Sequence, residues 1–565
     1  MTDSINIKIG GKAGEGIKTT GLILAKALSR LGFSLFAYDE YPSLIKGGHN
    51  TYQIYFGGEE VSSQHQKLDF LIAFDEQTLT LHQEELKSGA KVLFDPESFE
   101  APKMEEVELL PIPWKKIALE NAGSAQAFNM VALGAVVALL GLSANSLYEV
   151  ITDVFGSKGE KVGQTNRKAA EDGASLVREN LNNFIQAVDL PLKASQIVVS
   201  GNEAIGAASI ASGMKYFAAY PMTPVSSLFH FLADNAASYN FVSHHVESEV
   251  AAINTLIGAS VAGVRAMTAT SGGGFSLMVE GLGMTGVAEI PAVVVLGMRP
   301  GPATGMPTWT GQGDLRFALH ASQDEFPRVV LAPGNPWEAF ELTKKAFLLA
   351  EKYQLPVTIL TDKYLCDSCK SGPFFPSDHQ NKRFGFASEL NGSFQRYALT
   401  SSGVSPRPVL GQKGGASLTN SYEHDETGLG SEESLDREKQ MGKRLKKLVS
   451  LQEDLWELPL FGPPEAVTTL VGFGSTLGPV LEALKELPDT NYLHFNYLWP
   501  FPVSAQKHLE KAKSLVCLEG NAQGQLEGLI REQTGIKTDY ALRKYNGRPF
   551  YPEEIVESVK NLKSK

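Results

Sequence analysis

The chain has 565 residues, 43% of them hydrophobic and 20% charged, with 54 glycines and 29 prolines. At ~100–200 residues per domain this length predicts three or four domains, and the composition excludes a disordered, collagenous or coiled-coil chain. A formal net charge of −12 argues against nucleic acid or an anionic membrane as the main partner.

In chain order, Ile5–Ile9 alternates as a strand and leads into Gly10-Gly-Lys-Ala-Gly-Glu-Gly16, followed by a helix over 19–31. Further strands are predicted at 34–38, 70–74 and 91–94. The apolar run Met130–Ala144 is too short and too rich in glycine to span a bilayer and reads as a buried helix. Leu190-Pro-Leu-Lys193 reads as an exit linker, closing a first domain over 1–190. A second α/β unit over 195–370 carries strands at 216–220, 241–244, 265–270 and 292–296, and helices at 249–262 and 275–288. From 371 to 462 the composition turns to Ser, Gly, Asn, Lys and Glu, which predicts a linker or insert with mobile loop at 417–433 and an exposed helix at 438–455. A third α/β unit fills 463–565. Strand, glycine turn and helix repeated this way predict open, mostly parallel sheets.

The N-terminus lacks a basic region followed by an apolar one, so no signal peptide is expected. The three cysteines, Cys366, Cys369 and Cys517, make no disulfide framework and are too few for the four thiolates of an iron–sulfur cluster. The pair Cys366-Asp-Ser-Cys369 reads as incidental thiols. Together these features suit the cytoplasm.

The turn Gly11–Gly16 resembles a phosphate loop, but Ile17 separates the last glycine from Lys18, and a Walker lysine must follow that glycine directly. It also lacks the third glycine of a dinucleotide fingerprint, although Asp39 lies at about the distance of a ribose-binding acid. A glycine turn that lets a helix N-terminus approach an anion or another backbone is the better reading.

Three motifs sit where strands end and helices begin, the place where α/β sheets bind ligands. Tyr220-Pro-Met-Thr-Pro224 stiffens one such turn and aims the Thr223 hydroxyl outwards. Ser271-Gly-Gly-Gly274 makes a second, with Ser271 and Gly272 as candidate binding residues. Arg299 ends a third strand, where a guanidinium suits a carboxylate. His244-His-Val-Glu247-Ser-Glu249 opens a helix of small residues. An acid there serves as a dipole partner or as a proton acceptor at the edge of a core. The adjacent histidines point to opposite faces of a strand, so no metal site is expected.

In order and spacing, these strings resemble the 2-oxoacid:ferredoxin oxidoreductases, in particular their fused γ–α subunit. The resemblance is carried by Tyr220–Pro224, Glu247-Ser-Glu249-Val-Ala-Ala252, Ala266–Ser271, Arg299-Pro-Gly-Pro-Ala-Thr-Gly305, Gly311-Gln-Gly-Asp314, Glu325-Phe-Pro-Arg328, Phe501-Pro502 and Glu519–Gln525. At the start of the chain, Gly10–Gly16 and Lys46-Gly-Gly48 look like the γ domain, with lysine at a position where arginine is commoner. It covers nearly the whole chain, with 371–462 its weak part.

The resemblance implies a Rossmann-like γ domain, a domain binding the aminopyrimidine of thiamine diphosphate, and a transketolase C-terminal-like domain. It also implies oxidative decarboxylation of a 2-oxoacid to an acyl-CoA and CO₂, with coenzyme A as co-substrate and ferredoxin as acceptor. By the same resemblance, Glu249 bonds N1′ of the aminopyrimidine, with Glu247 as the alternative acid. Thr223 and Arg299 hold the substrate carboxylate, and Tyr220, Pro221, Ser271 and Gly272 line the cofactor. Glu249 is preferred within the doublet because it abuts the small-residue helix. The Gly-Asp-Gly…Asn-Asn pair that holds Mg²⁺ and diphosphate in such enzymes has no usable counterpart here. Mg²⁺ and the iron–sulfur cluster are therefore expected on a β subunit, in an (αβ)₂ assembly. Competing classes are an NAD-dependent or other nucleotide-binding enzyme and a catalytically inactive interaction subunit.

Overall fold

The computed structural model describes residues 4–43, 48–156, 158–186, 188–189, 194, 196–376, 381–388, 390 and 394–563. The expected linker 190–193 lies outside these residues, as do Lys46 and Gly47 of the Lys46-Gly-Gly48 string. The described residues fold as mixed α/β around three sheets and form two compact units.

The first unit takes residues up to Val199, together with Ser368–Phe374 and the stretch from Tyr551. Its eight-stranded sheet runs in the order Glu108–Pro111, Leu86–Phe94, Leu68–Ala73, Ser4–Lys12, His49–Gly57, Ser34–Glu40, Cys369–Gly372, Ile197–Ser200. The first four strands are parallel. His49–Gly57 was not expected from the sequence, and it pairs antiparallel with both Ser4–Lys12 and Ser34–Glu40. Its signal is the alternation of Tyr52, Ile54 and Phe56, all three buried in the core.

The apolar run near residue 130 forms the buried helix Phe128–Leu139, which packs against Glu160–Asn180 almost backbone to backbone. A Cβ on Gly134 would lie 1.9 Å from the Ala170 carbonyl oxygen, and one on Gly173 would lie 2.0 Å from that of Val131. Beside the glycine turn, exposed Lys18 pairs with buried Asp39 at 2.8 Å, so the acid considered for a ribose is held by the lysine considered for a phosphate.

The second unit carries two sheets. Seven strands run in the order Tyr497–Trp499, Val329–Leu331, Pro356–Asp362, Ala292–Met298, Ala266–Ser271, Tyr216–Ala219, Val242–His245, parallel apart from the antiparallel Tyr497–Trp499. Five more run Leu460–Phe461, Thr490–Phe495, Thr468–Phe473, Ser514–Glu519, Tyr540–Arg543, parallel apart from Leu460–Phe461. Val293, Val294, Val295 and Leu296 are fully buried, as a strand covered on both faces requires. Among the described residues no helix is long and apolar enough to cross a membrane.

The polar segment after 371 departs from its reading as a mobile loop and an exposed helix. The helix is Ser434–Leu451, and Gln440, Lys443, Arg444 and Lys447 on it are buried. His424 in the preceding loop is also buried. These charges have fixed partners in place of water. Lys443 and Lys447 each reach the fully buried Glu289 at 2.6 Å, and Arg396 donates to the Glu289 carbonyl at 2.9 Å. Arg444 and Arg437 grip Glu423. Arg265, Arg383 and Arg407 converge on buried Glu351. Burial pushes the Glu289 carboxyl up, but the Lys447 and Lys443 ammonium groups outweigh it and hold the acid well below the usual carboxylate range.

Removing one partner from such a buried group leaves the others uncompensated. Glu289→Ala should therefore lower the stability of the second unit by roughly 3–5 kcal/mol in denaturant unfolding. Glu280→Gln, at an exposed acid on the helix Gly272–Val287, should stay within about 0.5 kcal/mol of wild type.

Candidate active site

The parallel strands Tyr216–Ala219, Ala266–Ser271 and Ala292–Met298 end at one edge of the seven-stranded sheet, and the turns that leave them form a crevice. Asn202 steadies the first turn by donating to the Pro224 carbonyl at 2.9 Å and to Ser227 Oγ at 2.7 Å. Arg299, half-buried at the end of the third strand, crosses to this turn and donates from Nη1 to the Thr223 carbonyl at 2.7 Å. A Cβ built on Gly273, Gly301 or Gly313 would meet nothing within 4 Å, so the crevice is open between its turns.

Glu249 begins the helix Glu249–Val261, capped by the Ser248 side chain, which accepts from the Ala251 N–H. The glutamate is only 4% exposed, whereas Glu247 stands in solvent. Its carboxyl sits against the second turn. A Cβ on Gly274 would lie 2.4 Å from Glu249 Oε1 and 2.1 Å from Thr270 Oγ1, so a side chain there would evict the acid. Glu249 Oε1 is buried without a hydrogen-bond partner, and so is the Ser271 hydroxyl. Two unmet polar atoms beside an open glycine turn suit a ring that carries its own donors and acceptors. The aminopyrimidine of thiamine diphosphate is such a ring, and Glu249 and Ser271 fit it.

The sequence candidates divide by place. Thr223, Arg299, Ser271, Gly272 and Glu249 come together around the crevice. Tyr220 is 41% exposed, with its ring 6.3 Å from that of His245, and Pro221 is half-buried at the rim. His244 bonds the Tyr216 hydroxyl at 3.1 Å. Among the described residues no group of three or more His, Cys, Asp or Glu side chains could hold a metal ion. Sequence reasoning passed over Asp314, quoted only as part of a motif. Its Oδ2 lies 2.7 Å from the Cβ position of Gly272. Burial pushes its carboxyl up to about 6, with attraction to Arg299 offsetting this only in part. An acid closing a Gly-x-Gly turn was the available signal.

The pyruvate flavodoxin/ferredoxin oxidoreductase thiamine-diphosphate-binding family matches residues 207–443, and the pyruvate ferredoxin/flavodoxin oxidoreductase family matches 6–176. The alpha subunit of 2-oxoacid:ferredoxin oxidoreductase 2 from Aeropyrum pernix is 31% identical over 99% of this chain and 97% of its own. The chain belongs to the 2-oxoacid:ferredoxin oxidoreductase family. A solved 2-oxoglutarate:ferredoxin oxidoreductase from Magnetococcus marinus, with 2-oxoglutarate, coenzyme A and succinyl-CoA bound, superposes with a TM-score of 0.93. It is 33% identical and covers 99% of this chain and 100% of that one. The 2-oxoglutarate synthase subunit KorA of Archaeoglobus fulgidus is 31% identical over 64% of this chain and 98% of its own. The family is thiamine-diphosphate-dependent, and the relatives it includes are named as alpha subunits of ferredoxin oxidoreductases.

Burial separates the two acids of the doublet by experiment as well as by geometry. Glu249→Gln should lower turnover of the assembled oxidoreductase by roughly 10²–10⁴, the usual worth of general acid–base assistance, while Glu247→Gln should change it little. Exchange of the thiazolium C2 proton, followed by NMR, checks the assignment. Wild-type exchange in Glu249→Gln with collapse in Glu247→Gln would reverse it.

Proposed function

We propose that this chain is the subunit that presents the aminopyrimidine-binding wall and the substrate-carboxylate site of the oxidoreductase. Glu249, Ser271, Gly272, Tyr220 and Pro221 face the cofactor, and Arg299 and Thr223 hold the 2-oxoacid. The observation that carries this is the Glu249 oxygen, buried and unpartnered beside the Ser271–Gly274 turn. When bound, thiamine diphosphate supplies the electron sink for breaking the bond to the departing carboxylate. Glu249 accepts a proton-bearing ring nitrogen at Oε1 and keeps water from that edge. The Arg299 guanidinium, already anchored to the turn at Thr223, orients the substrate by a planar, charge-assisted contact. The acyl group leaves on coenzyme A and the electrons go to ferredoxin.

The rest of the assembly follows from what the chain lacks. No Gly-Asp-Gly…Asn-Asn pair is present to hold Mg²⁺ on a diphosphate, and three cysteines cannot ligate a cluster. We therefore assign both groups to a β subunit facing the crevice, in a cytoplasmic (αβ)₂ complex. The three sheets correspond, in this reading, to a γ domain (1–190), a pyrimidine domain (195–370) followed by an insert (371–462), and a transketolase C-terminal-like domain (463–565). Exposed Tyr220, Val250 and Leu277 suit a covering partner.

The test is to purify the chain with and without its β partner, anaerobically with iron, Mg²⁺ and thiamine diphosphate, and to follow viologen reduction across a panel of 2-oxoacids. The complex should reduce dye in a coenzyme A-dependent manner. The chain alone should be colourless and inactive, and dye reduction by it at holoenzyme rates would overturn the split site. In the complex, Arg299→Ala should raise KM for every 2-oxoacid about thirtyfold or more, the scale of losing a buried charge-assisted pair, without changing cofactor affinity. Arg299→Lys should rescue this only in part.

A further inference from the structure

The segment after 371 meets the sheet domain across a cavity of about 370 Å³ that the reaction described above does not use. One wall is the far end of the helix Glu249–Val261, together with Ile290 and Pro291, which lead into the strand Ala292–Met298. The other wall comes from the loop 408–419, where a Cβ on Gly411 would meet nothing within 4 Å. The helix has 13 residues, so at ~1.5 Å per residue the cavity lies roughly 20 Å along it from Glu249.

Two arginines line this cavity, Arg396 and Arg407, and they are 6% and 5% exposed. Arg396 donates from Nη2 to the Glu289 carbonyl, a neutral acceptor, and among the described residues it forms no ion pair. Its Nη1 is buried with no hydrogen-bond partner. Arg407 donates from Nη1 to the Ser260 carbonyl at 3.1 Å and from Nη2 to Glu351 at 3.3 Å. It shares that carboxylate with Arg265 and Arg383, and its own Nε is buried without a partner. Glu289 also lines the cavity, but Lys443 and Lys447 already hold its carboxylate.

The charges around the cavity do not balance. Arg265, Arg396, Arg407, Lys443 and Lys447 are buried, and the acids buried among them are Glu289 and Glu351. Burying a cation without a counter-ion is costly, and an unmet donor on it adds to the cost. A lock built only to fasten this segment to the sheet domain needs neither the surplus of cations nor the empty space.

We propose that this cavity is a binding site for a small phosphate ester, with Arg396 and Arg407 holding the phosphate and Val261, Ile290, Pro408 and Val409 covering the carbon part. Guanidinium groups match phosphate oxygens in direction and charge. A dianion offsets two of the surplus charges, where a monocarboxylate offsets one. The cavity is larger than a bare ion needs and lies at the lower end of the range for small-molecule sites, ~300–1,000 Å³. A ligand there ties the loop 408–419 to the helix that begins with Glu249 and to the strand that precedes Arg299.

The experiment is hydrogen exchange of the full chain, read by mass spectrometry, with inorganic phosphate, glycerol 3-phosphate or sodium chloride at matched ionic strength. Both phosphates should slow amide exchange several-fold in 409–419 and 288–292, the ester at the lower concentration, and chloride should not. No slowing in these segments, equal slowing by chloride, or slowing by phosphate that the ester does not reproduce overturns the proposal. Arg396→Gln removes a charge that has no internal partner, so the variant should fold, and it should bind the ester roughly tenfold to a hundredfold more weakly. Unchanged affinity in the folded variant overturns the assignment, and the wild-type exchange pattern decides if the variant does not fold. Arg299→Ala should keep the protection, and its loss there would place the phosphate at the crevice instead.

Discussion

A buried polar atom without a hydrogen-bond partner costs free energy, and Glu249 places such an atom beside the crevice. One oxygen is buried and unpaired, held in place because Gly274 has no Cβ to expel it. The N-terminus of its helix offsets part of the cost, since the free N–H groups there favour negative charge. The other features of the site follow from this constraint. The turn has to be glycine, the strand before it has to end in small polar residues, and Ser271 is buried unsatisfied next to it.

The same unit contains buried acids that are fully answered from within the chain, and the contrast separates structure from function. Glu289 has two lysines and Glu351 has three arginines. Fully buried Asp362 accepts from Ser475 at 2.6 Å, Gln312 at 3.3 Å and the Leu365 N–H at 3.1 Å. Those sites bind segments of the chain to one another, and burying them is tolerable because every carboxylate is met. Glu249 differs in that its buried Oε1 has no hydrogen-bond partner among the described residues.

Much of this was legible in the sequence. The strands at 216–219, 266–271 and 292–298 stop within two residues of a Pro or Gly, and those stops place Thr223, Ser271 and Arg299 at one sheet edge. The doublet at 247 and 249 was separable because small residues follow only the second acid. Other features were hidden for physical reasons. The strand His49–Gly57 is bounded by polar residues that resemble loop, and its hydrophobic alternation is short. The helix Ser434–Leu451 carries a charge pattern identical to that of a solvated face, and only the distant Glu289 and Glu423 reveal that it is buried. Asp314 acquires its meaning from Gly272 and Arg299, which lie 42 and 15 residues away in the chain. Local pattern cannot register contacts of that range.

The five-stranded sheet contributes no side chain proposed to touch the substrate, which raises the question of what it does for the site. Its contacts give an answer in terms of rigidity. Gly520, Phe473 and Gln525 hold the segment 311–316 through backbone and amide hydrogen bonds, each specific in direction. A loop tethered only at its ends would sample many positions, and ordering it on each encounter with substrate would consume binding energy at about 1–2 kcal/mol per residue. Clamping it in advance removes that cost from the catalytic cycle.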